Sequence, residues 1–170
     1  MNYHNITHND MLNGAGLRVV LFVSGCSHYC KNCQNSQTWD PNSGILFDNI
    51  AYEEIREQLK HNYIKGLTLS GGDPLYPENR NEILQLVTKL KEEFPEKDIW
   101  IYTGYVWEEI IKSPTMEKII RKCDILVDGM FEENKLDVNY PYCGSTNQRV
   151  IDIQKTLQSL QKQIVLYESK

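Results

Sequence analysis

No stretch of this 170-residue chain approaches the roughly 18 consecutive apolar residues that a membrane-spanning helix needs. A basic excess is missing as well. The 18 Lys and Arg residues are outnumbered by 23 Asp and Glu, and the net charge of −5 lacks the electrostatic footprint of a nucleic-acid binder. The polar start Met1-Asn2-Tyr3-His4-Asn5 has none of the charged-then-apolar order of a secretory signal. No internal repeat, low-complexity tract or linker divides the sequence, so residues 1–170 are expected to form a single domain with a full core. The five cysteines are an odd number and three of them cluster locally, which is a poor basis for a disulfide framework. These absences together predict a cytoplasmic protein in a reducing compartment, with neither membrane nor nucleic acid among its partners.

What the chain does have is Cys26, Cys30 and Cys33, directly after the apolar run Leu17 to Ser24. A C-x3-C-x2-C loop at the end of a strand can hold three irons of a 4Fe–4S cluster. Electron-transfer clusters of that type take four thiolates. Three leave one iron with a vacant coordination position, and vacant positions are where substrates bind. With His28 in the same loop, a Cys3His zinc site is a second reading. That knot is sterically awkward, because His28 lies two residues from both Cys26 and Cys30. Three inert buried thiols are a third reading.

Strand-like and helix-like segments alternate along the rest. Ala51–Leu59 reads as a helix, and Gly66–Ser70 as a strand closed by the turn Gly71-Gly72-Asp73-Pro74. Residues 80–94 carry Ile83, Leu84, Val87, Leu90 and Phe94 at helical spacing. A strand over Ile99–Tyr102, helices around Trp107–Ile111 and Met116–Arg121, and a strand over Ile125–Asp128 follow. The tail suggests strands at Arg149–Ile153 and Ile164–Tyr167. Repeated βα units imply an α/β fold with a mostly parallel sheet. A closed eight-unit barrel takes about 250 residues, so the expected architecture is a partial, open (βα) barrel. Its site should lie at the C-terminal strand ends, where the cysteine loop, Gly71–Pro74, Thr103-Gly104 and Asp128-Gly129 all fall.

In these residues the chain resembles the radical S-adenosylmethionine superfamily, through the cysteine triad and the Gly71-Gly72-Asp73-Pro74 turn. Within it, the chain is most similar to the activating proteins of anaerobic ribonucleoside-triphosphate reductases. That likeness runs nearly the full length. It includes Gly14-x-Gly16-x-Arg18, Phe22 to Cys26, Cys33-Gln34-Asn35, Thr38-Trp39, Leu69 to Leu75, Thr103-Gly104-Tyr105, Asp124 to Gly129 and Gly144 to Ile151. The resemblance implies a partial barrel holding a 4Fe–4S cluster on Cys26, Cys30 and Cys33. It further implies S-adenosylmethionine bound at Ser70, Gly71, Gly72, Asp73, Thr103 and Asp128. The implied reaction generates a 5′-deoxyadenosyl radical and places a glycyl radical on the large catalytic subunit of the reductase, with electrons from a small reductant protein such as flavodoxin. Alternatives are activation of another glycyl-radical enzyme of the formate-lyase type, or a non-catalytic zinc or iron–sulfur binding module.

Three positions depart from the superfamily pattern. Asn32 stands where many members have an aromatic near the adenine, Asp73 where some have Glu, and Cys143 where a basic residue is expected. Of the remaining residues, Cys123 reads as a small buried hydrophobe and Trp100 and Trp107 as core. Trp39 reads as a cover for the cluster or a contact for a partner. Ser145, Asn147, Gln148 and Arg149 form either a hydrogen-bonded loop or a functional cluster. Gly71 and Gly72, lacking side chains, are expected to let backbone groups approach a ligand closely.

Overall fold

The computed structural model describes residues 1–160 and 163–168. Its strands are β1 (Asn2–Asp10), β2 (Arg18–Val23), β3 (Ile45–Leu46), β4 (Gly66–Gly71), β5 (Asp98–Tyr102), β6 (Ile125–Asp128) and β7 (Arg149–Asp152). The helices are α1 (Asn49–Leu59), α2 (Arg80–Glu93), α3 (Trp107–Ile110), α4 (Pro114–Ile120) and α5 (Ile153–Gln158). The strands form one sheet in the order β3-β1-β2-β4-β5-β6-β7.

The centre is as expected. Strands β2, β4, β5 and β6 run parallel, with crossovers through α1, α2 and the α3–α4 pair. The flanks correct the expectation of a mostly parallel sheet. β1 pairs antiparallel with β2, β3 with β1, and β7 with β6, so the sheet is mixed. An antiparallel neighbour needs only a short return instead of a crossover helix, which is how a short chain widens its sheet. β3 and β7 stand at opposite ends of the strand order, and the sheet is not closed.

Strand periodicity divides the side chains between two faces. Val19, Leu21, Val23, Leu67, Leu69, Ile99, Ile101, Leu126 and Ile151 turn to the face covered by the helices. There they pack with Ile55, Leu59, Ile83, Val87, Leu90, Ile119 and Ile120 in the main core. Asp48 caps α1 by accepting from the backbone amides of Ile50 and Ala51, and Pro114 opens α4 at a position where its missing amide costs nothing.

The alternate residues turn to the other face, which holds a smaller cluster of Trp100, Ile125 and Val127. Arg18 is fully buried there. Its guanidinium donates to Thr68 Oγ1 at 2.8 Å, Leu67 O at 2.9 Å and Ala15 O at 3.0 Å, pairs with Asp98 and lies over the Trp100 ring. A buried cation is tolerated because every face of it is occupied by an acceptor or a π cloud. Trp100 belongs to this second cluster, while Trp107 joins the main core.

Candidate functional site

The cysteine loop leaves β2 at its C-terminal end and curls through two left-handed residues, Tyr29 (φ 48) and Asn32 (φ 55). Its base is fixed by backbone bonds from Gly25 N to Thr38 O and from Cys26 N to Trp39 O. Cys26 is buried, whereas Cys30 and Cys33 are partly exposed, and all three are free thiols. Each sulfur is met by backbone amides: those of His28 and Tyr29 face Cys26, that of Phe131 faces Cys30, and Asn35 N donates to Cys33 Sγ at 3.4 Å. Burial pushes the Cys26 thiol up to about 11, against the pull of its two amides, and raises Cys30 as well. Such thiols stay protonated unless a metal takes the proton's place.

All three cysteines line one cavity of about 120 Å³ at the C-terminal end of the parallel strands, shared with Ser70, Gly71, Gly72, Thr103 and Gly104. Among the described residues, no three His, Cys, Asp or Glu side chains gather closely enough to hold a single metal ion. A cluster does not require that, because each thiolate takes a different iron and sulfide fills the space between. His28 borders the same cavity, with its Nε2 engaged 2.7 Å from Asp73 Oδ2. Trp39 Nε1 and the Tyr102 hydroxyl, both on side chains that line the cavity, are buried without hydrogen-bond partners. Orphaned donors, amide-facing sulfurs and a common cavity make a donor set that fits an iron–sulfur group better than zinc.

The glycine turn is laced to the cysteine loop by the protein's own backbone. Gly72 N donates to Val23 O at 2.8 Å and Asp73 N to Gly25 O at 2.7 Å. A Cβ on Gly72 would stand 2.5 Å from Gly25 O and 2.9 Å from Thr38 O. The close approach that requires glycine is thus to the cysteine loop itself, a reason the sequence did not disclose. Asp73 is 1% exposed and accepts from His28, from Thr103 Oγ1 at 2.9 Å, from Gly104 N at 3.1 Å and from Leu75 N at 2.7 Å.

A larger cavity of about 540 Å³ runs on from the first, sharing Cys33, Ser70, Tyr102, Phe131 and Gln148. Its outer rim carries the exposed apolar residues Met11, Leu12, Leu136 and Val138.

A family profile described as a 4Fe–4S single cluster domain matches residues 12–151. The chain is also 49% identical over 150 residues to the anaerobic ribonucleoside-triphosphate reductase-activating protein of Enterobacteria phage T4, covering 88% of this chain and 93% of that one. The protein of the same name from Haemophilus influenzae is 43% identical (87% and 96% covered), and that from Escherichia coli K12 is 42% identical (88% and 97% covered). The chain belongs to the anaerobic ribonucleoside-triphosphate reductase-activating proteins.

In this member of that family, Ser70, Gly71, Gly72 and Thr103 border the cysteine cavity. Asp128 does not border it. Strand parity explains this, since Val127 turns to the site face and Asp128 to the helix face. There its carboxylate accepts from Trp107 N at 2.8 Å and forms an ion pair with Arg149. Arg149 also reaches Glu108, holding the Glu108 carboxyl below its usual range. Residues 145–148 form a hydrogen-bonded loop that leads into β7 at Arg149, and Gln148 borders both cavities. Gln148 Oε1 accepts from Gly144 N and Ser145 N while its Nε2 donates to Gly129 O, and Ser145 Oγ accepts from Glu132 N. Asn32 pairs with Glu133 and does not border the cysteine cavity, so the aromatic residues common to both cavities are Tyr102 and Phe131. Cys123 is wholly buried as expected, and Cys143 lines the larger cavity, where burial lifts its thiol to about 12. The sequence offered no signal for Arg149 as the partner of Asp128; parity along β6 was the one clue that Asp128 faces the helices.

Proposed function

We propose that this chain is the activating enzyme of an anaerobic ribonucleoside-triphosphate reductase, and that it generates a glycyl radical on the large catalytic subunit. The observation that carries this reading is the common cavity of Cys26, Cys30, Cys33 and the glycine turn, in a chain that belongs to that family of activators. Cys26, Cys30 and Cys33 would hold the three anchored irons of a 4Fe–4S cluster. Ser70, Gly71 and Gly72 would meet the methionine end of S-adenosylmethionine, with Asp73 and Thr103 holding that turn from behind. Tyr102 and Phe131, bordering both cavities, would accompany the nucleoside end into the larger one. Asp128 contributes through Arg149 and Trp107, by fixing the end of β6.

When bound, the cluster and S-adenosylmethionine would supply one-electron cleavage of a carbon–sulfur bond and, through it, hydrogen-atom abstraction from the partner's glycine. The chain's own work is orientation and exclusion of water. Four parallel strands with a site at their C-terminal ends support a partial barrel of the radical S-adenosylmethionine type. The cavity beyond the cysteines gives a partner's polypeptide segment a route to the reacting carbon, and proximity of that kind demands a complex. Residues 1–170 would act as a single domain in the cytoplasm, with a small reductant protein such as flavodoxin as electron source.

The test is anaerobic reconstitution with iron and sulfide, followed by reduction in the presence of S-adenosylmethionine. Release of 5′-deoxyadenosine and methionine in equal amounts is expected. A brown, cluster-loaded protein that releases neither would reduce the assignment to an iron–sulfur binding module.

A further inference from the structure

The cysteine loop and the glycine turn lie far apart in sequence, yet one side-chain pair bridges them. His28 Nε2 lies 2.7 Å from Asp73 Oδ2. Among the described residues, no other side-chain hydrogen bond joins the segment between Cys26 and Cys30 to this turn. The imidazole has little freedom. Its ring meets Tyr105 edge to face at 4.7 Å between centroids, and a Cβ on Gly104 would stand 2.4 Å from His28 Cδ2. Gly104 is thus compatible with His28 only because it has no side chain.

Asp73 collects the other strands of the site. Its Oδ2 accepts from His28, Thr103 Oγ1 and Gly104 N, while Oδ1 accepts from Leu75 N. Three separate segments therefore end on one buried carboxylate: the cysteine loop, the turn after β4 and the turn after β5. Charge-assisted bonds to a buried carboxylate are among the stronger ones available to a protein. The backbone bonds from Gly72 and Asp73 reach only the base of the cysteine loop, at Val23 and Gly25. Within the span between Cys26 and Cys30, Tyr29 packs on Trp39, and among the described residues only His28 carries a side-chain hydrogen bond to the glycine turn.

We propose that His28 and Asp73 are a pair of positioning residues that set the cysteine loop in register with the cofactor turn, so that breaking the pair weakens S-adenosylmethionine binding while the cluster is retained. This rests on the function proposed above, because register matters only if one ligand must touch both elements. Asp73 lies outside the lining of the cysteine cavity, and His28 borders it with its Nε2 turned to Asp73, so both are positioning residues. His28 acts through the loop it steers, and Asp73 through the turn it stiffens.

The test compares reconstituted full-length wild type with His28→Ala, Asp73→Asn and the double variant, and with His28→Gln, which keeps an N–H donor. Iron and sulfide content, the S-adenosylmethionine binding isotherm and the EPR change of the reduced cluster on adding S-adenosylmethionine are measured for each. The single variants are expected to keep wild-type iron and to bind about tenfold more weakly. The double variant should be no weaker than the weaker single, since the link that His28→Ala removes is already disturbed in Asp73→Asn. His28→Gln should recover most of the affinity. Unchanged affinity in the singles, additive losses of about a hundredfold in the double, or loss of iron from His28→Ala would each overturn the pairing. Failure of the cluster-loaded wild type to bind S-adenosylmethionine would instead overturn the function on which the pairing rests.

Discussion

The two walls of the site are built on opposite principles. The wall formed by the base of the cysteine loop and the turns after β4 and β5 is tied together by short-range bonds, several of them between backbones, while the tip of the loop at Tyr29 and residues 31–32 is exposed. The wall formed by residues 130–148 and 11–13 encloses the larger cavity and ends in an exposed apolar rim. A wall with no slack suits ligands of fixed geometry, where a displacement of an ångström is costly. A roomier wall suits a segment that must enter and leave. On the proposed function, one chain of modest size would hold its cofactor on one side and leave the opposite side free for a macromolecular substrate.

The largest effect should come from the proposed cluster ligands on the rigid wall. Replacement of Cys26, Cys30 or Cys33 by Ala is expected to abolish a competent cluster and all 5′-deoxyadenosine release. Cys143→Ser, on the roomier wall, and Cys123→Ala, in the core, should keep the cluster. Iron, sulfide and Mössbauer analysis of the five variants reads this directly. A requirement for Cys143 with dispensability of Cys30 would erase the distinction between the walls.

The same small substitution on each wall gives the next contrast. At Gly72 a Cβ would meet backbone oxygens of Gly25 and Thr38 that cannot swing away. Gly72→Ala is therefore expected to cost about 2–4 kcal/mol of stability in the cluster-free protein and to lower iron retention as well. At Gly144 the nearest atom to a new Cβ is Phe131 Cδ2 at 3.0 Å, on a side chain that can turn. Gly144→Ala should cost about 0.5–1 kcal/mol, read from urea midpoints at unchanged slope. Equal losses at the two glycines would mean that the walls do not differ in rigidity.

Between these lies the end of β6. Arg149→Met leaves the buried Asp128 carboxylate with one backbone donor, and a loss of about 2–3 kcal/mol is expected. If Asp128 served the cofactor directly, Arg149→Met would change S-adenosylmethionine affinity at constant stability instead.

Legibility in the sequence followed burial. Strands β2 and β6 are near-continuous apolar runs because both faces of a central parallel strand are covered, β4 and β5 show Leu67, Leu69, Ile99 and Ile101 at alternate positions, and α2 announces itself through Ile83, Leu84, Val87 and Leu90. β1 did not, although it is nine residues long. Only Tyr3 of its side chains is buried, and the strand is held by backbone pairing to β2 with two register shifts, so no alternation is left to see. The two-residue β3, exposed throughout, was hidden likewise, α5 is six residues long and buries only Ile153 and Thr156, and the strand expected at 164–167 is a single bridge between Ile151 and Leu166. In the site, the cysteines and glycines were legible as types of residue at meaningful spacing. Their mutual fit was not. That Gly72 spares the cysteine loop a clash, or that His28 and Asp73 meet, depends on how two loops distant in sequence are stacked by parallel strands.

On the proposed function, a radical formed at the rigid wall would act on a partner's glycine admitted at the roomier one. EPR of the reductase, separated after anaerobic incubation with this protein, S-adenosylmethionine and reductant, tests it most directly. A glycyl-radical doublet on the reductase, absent when Cys26, Cys30 or Cys33 is replaced, is the predicted result. A reductase without that signal, alongside activation of a formate-lyase-type partner under the same conditions, would contradict the account.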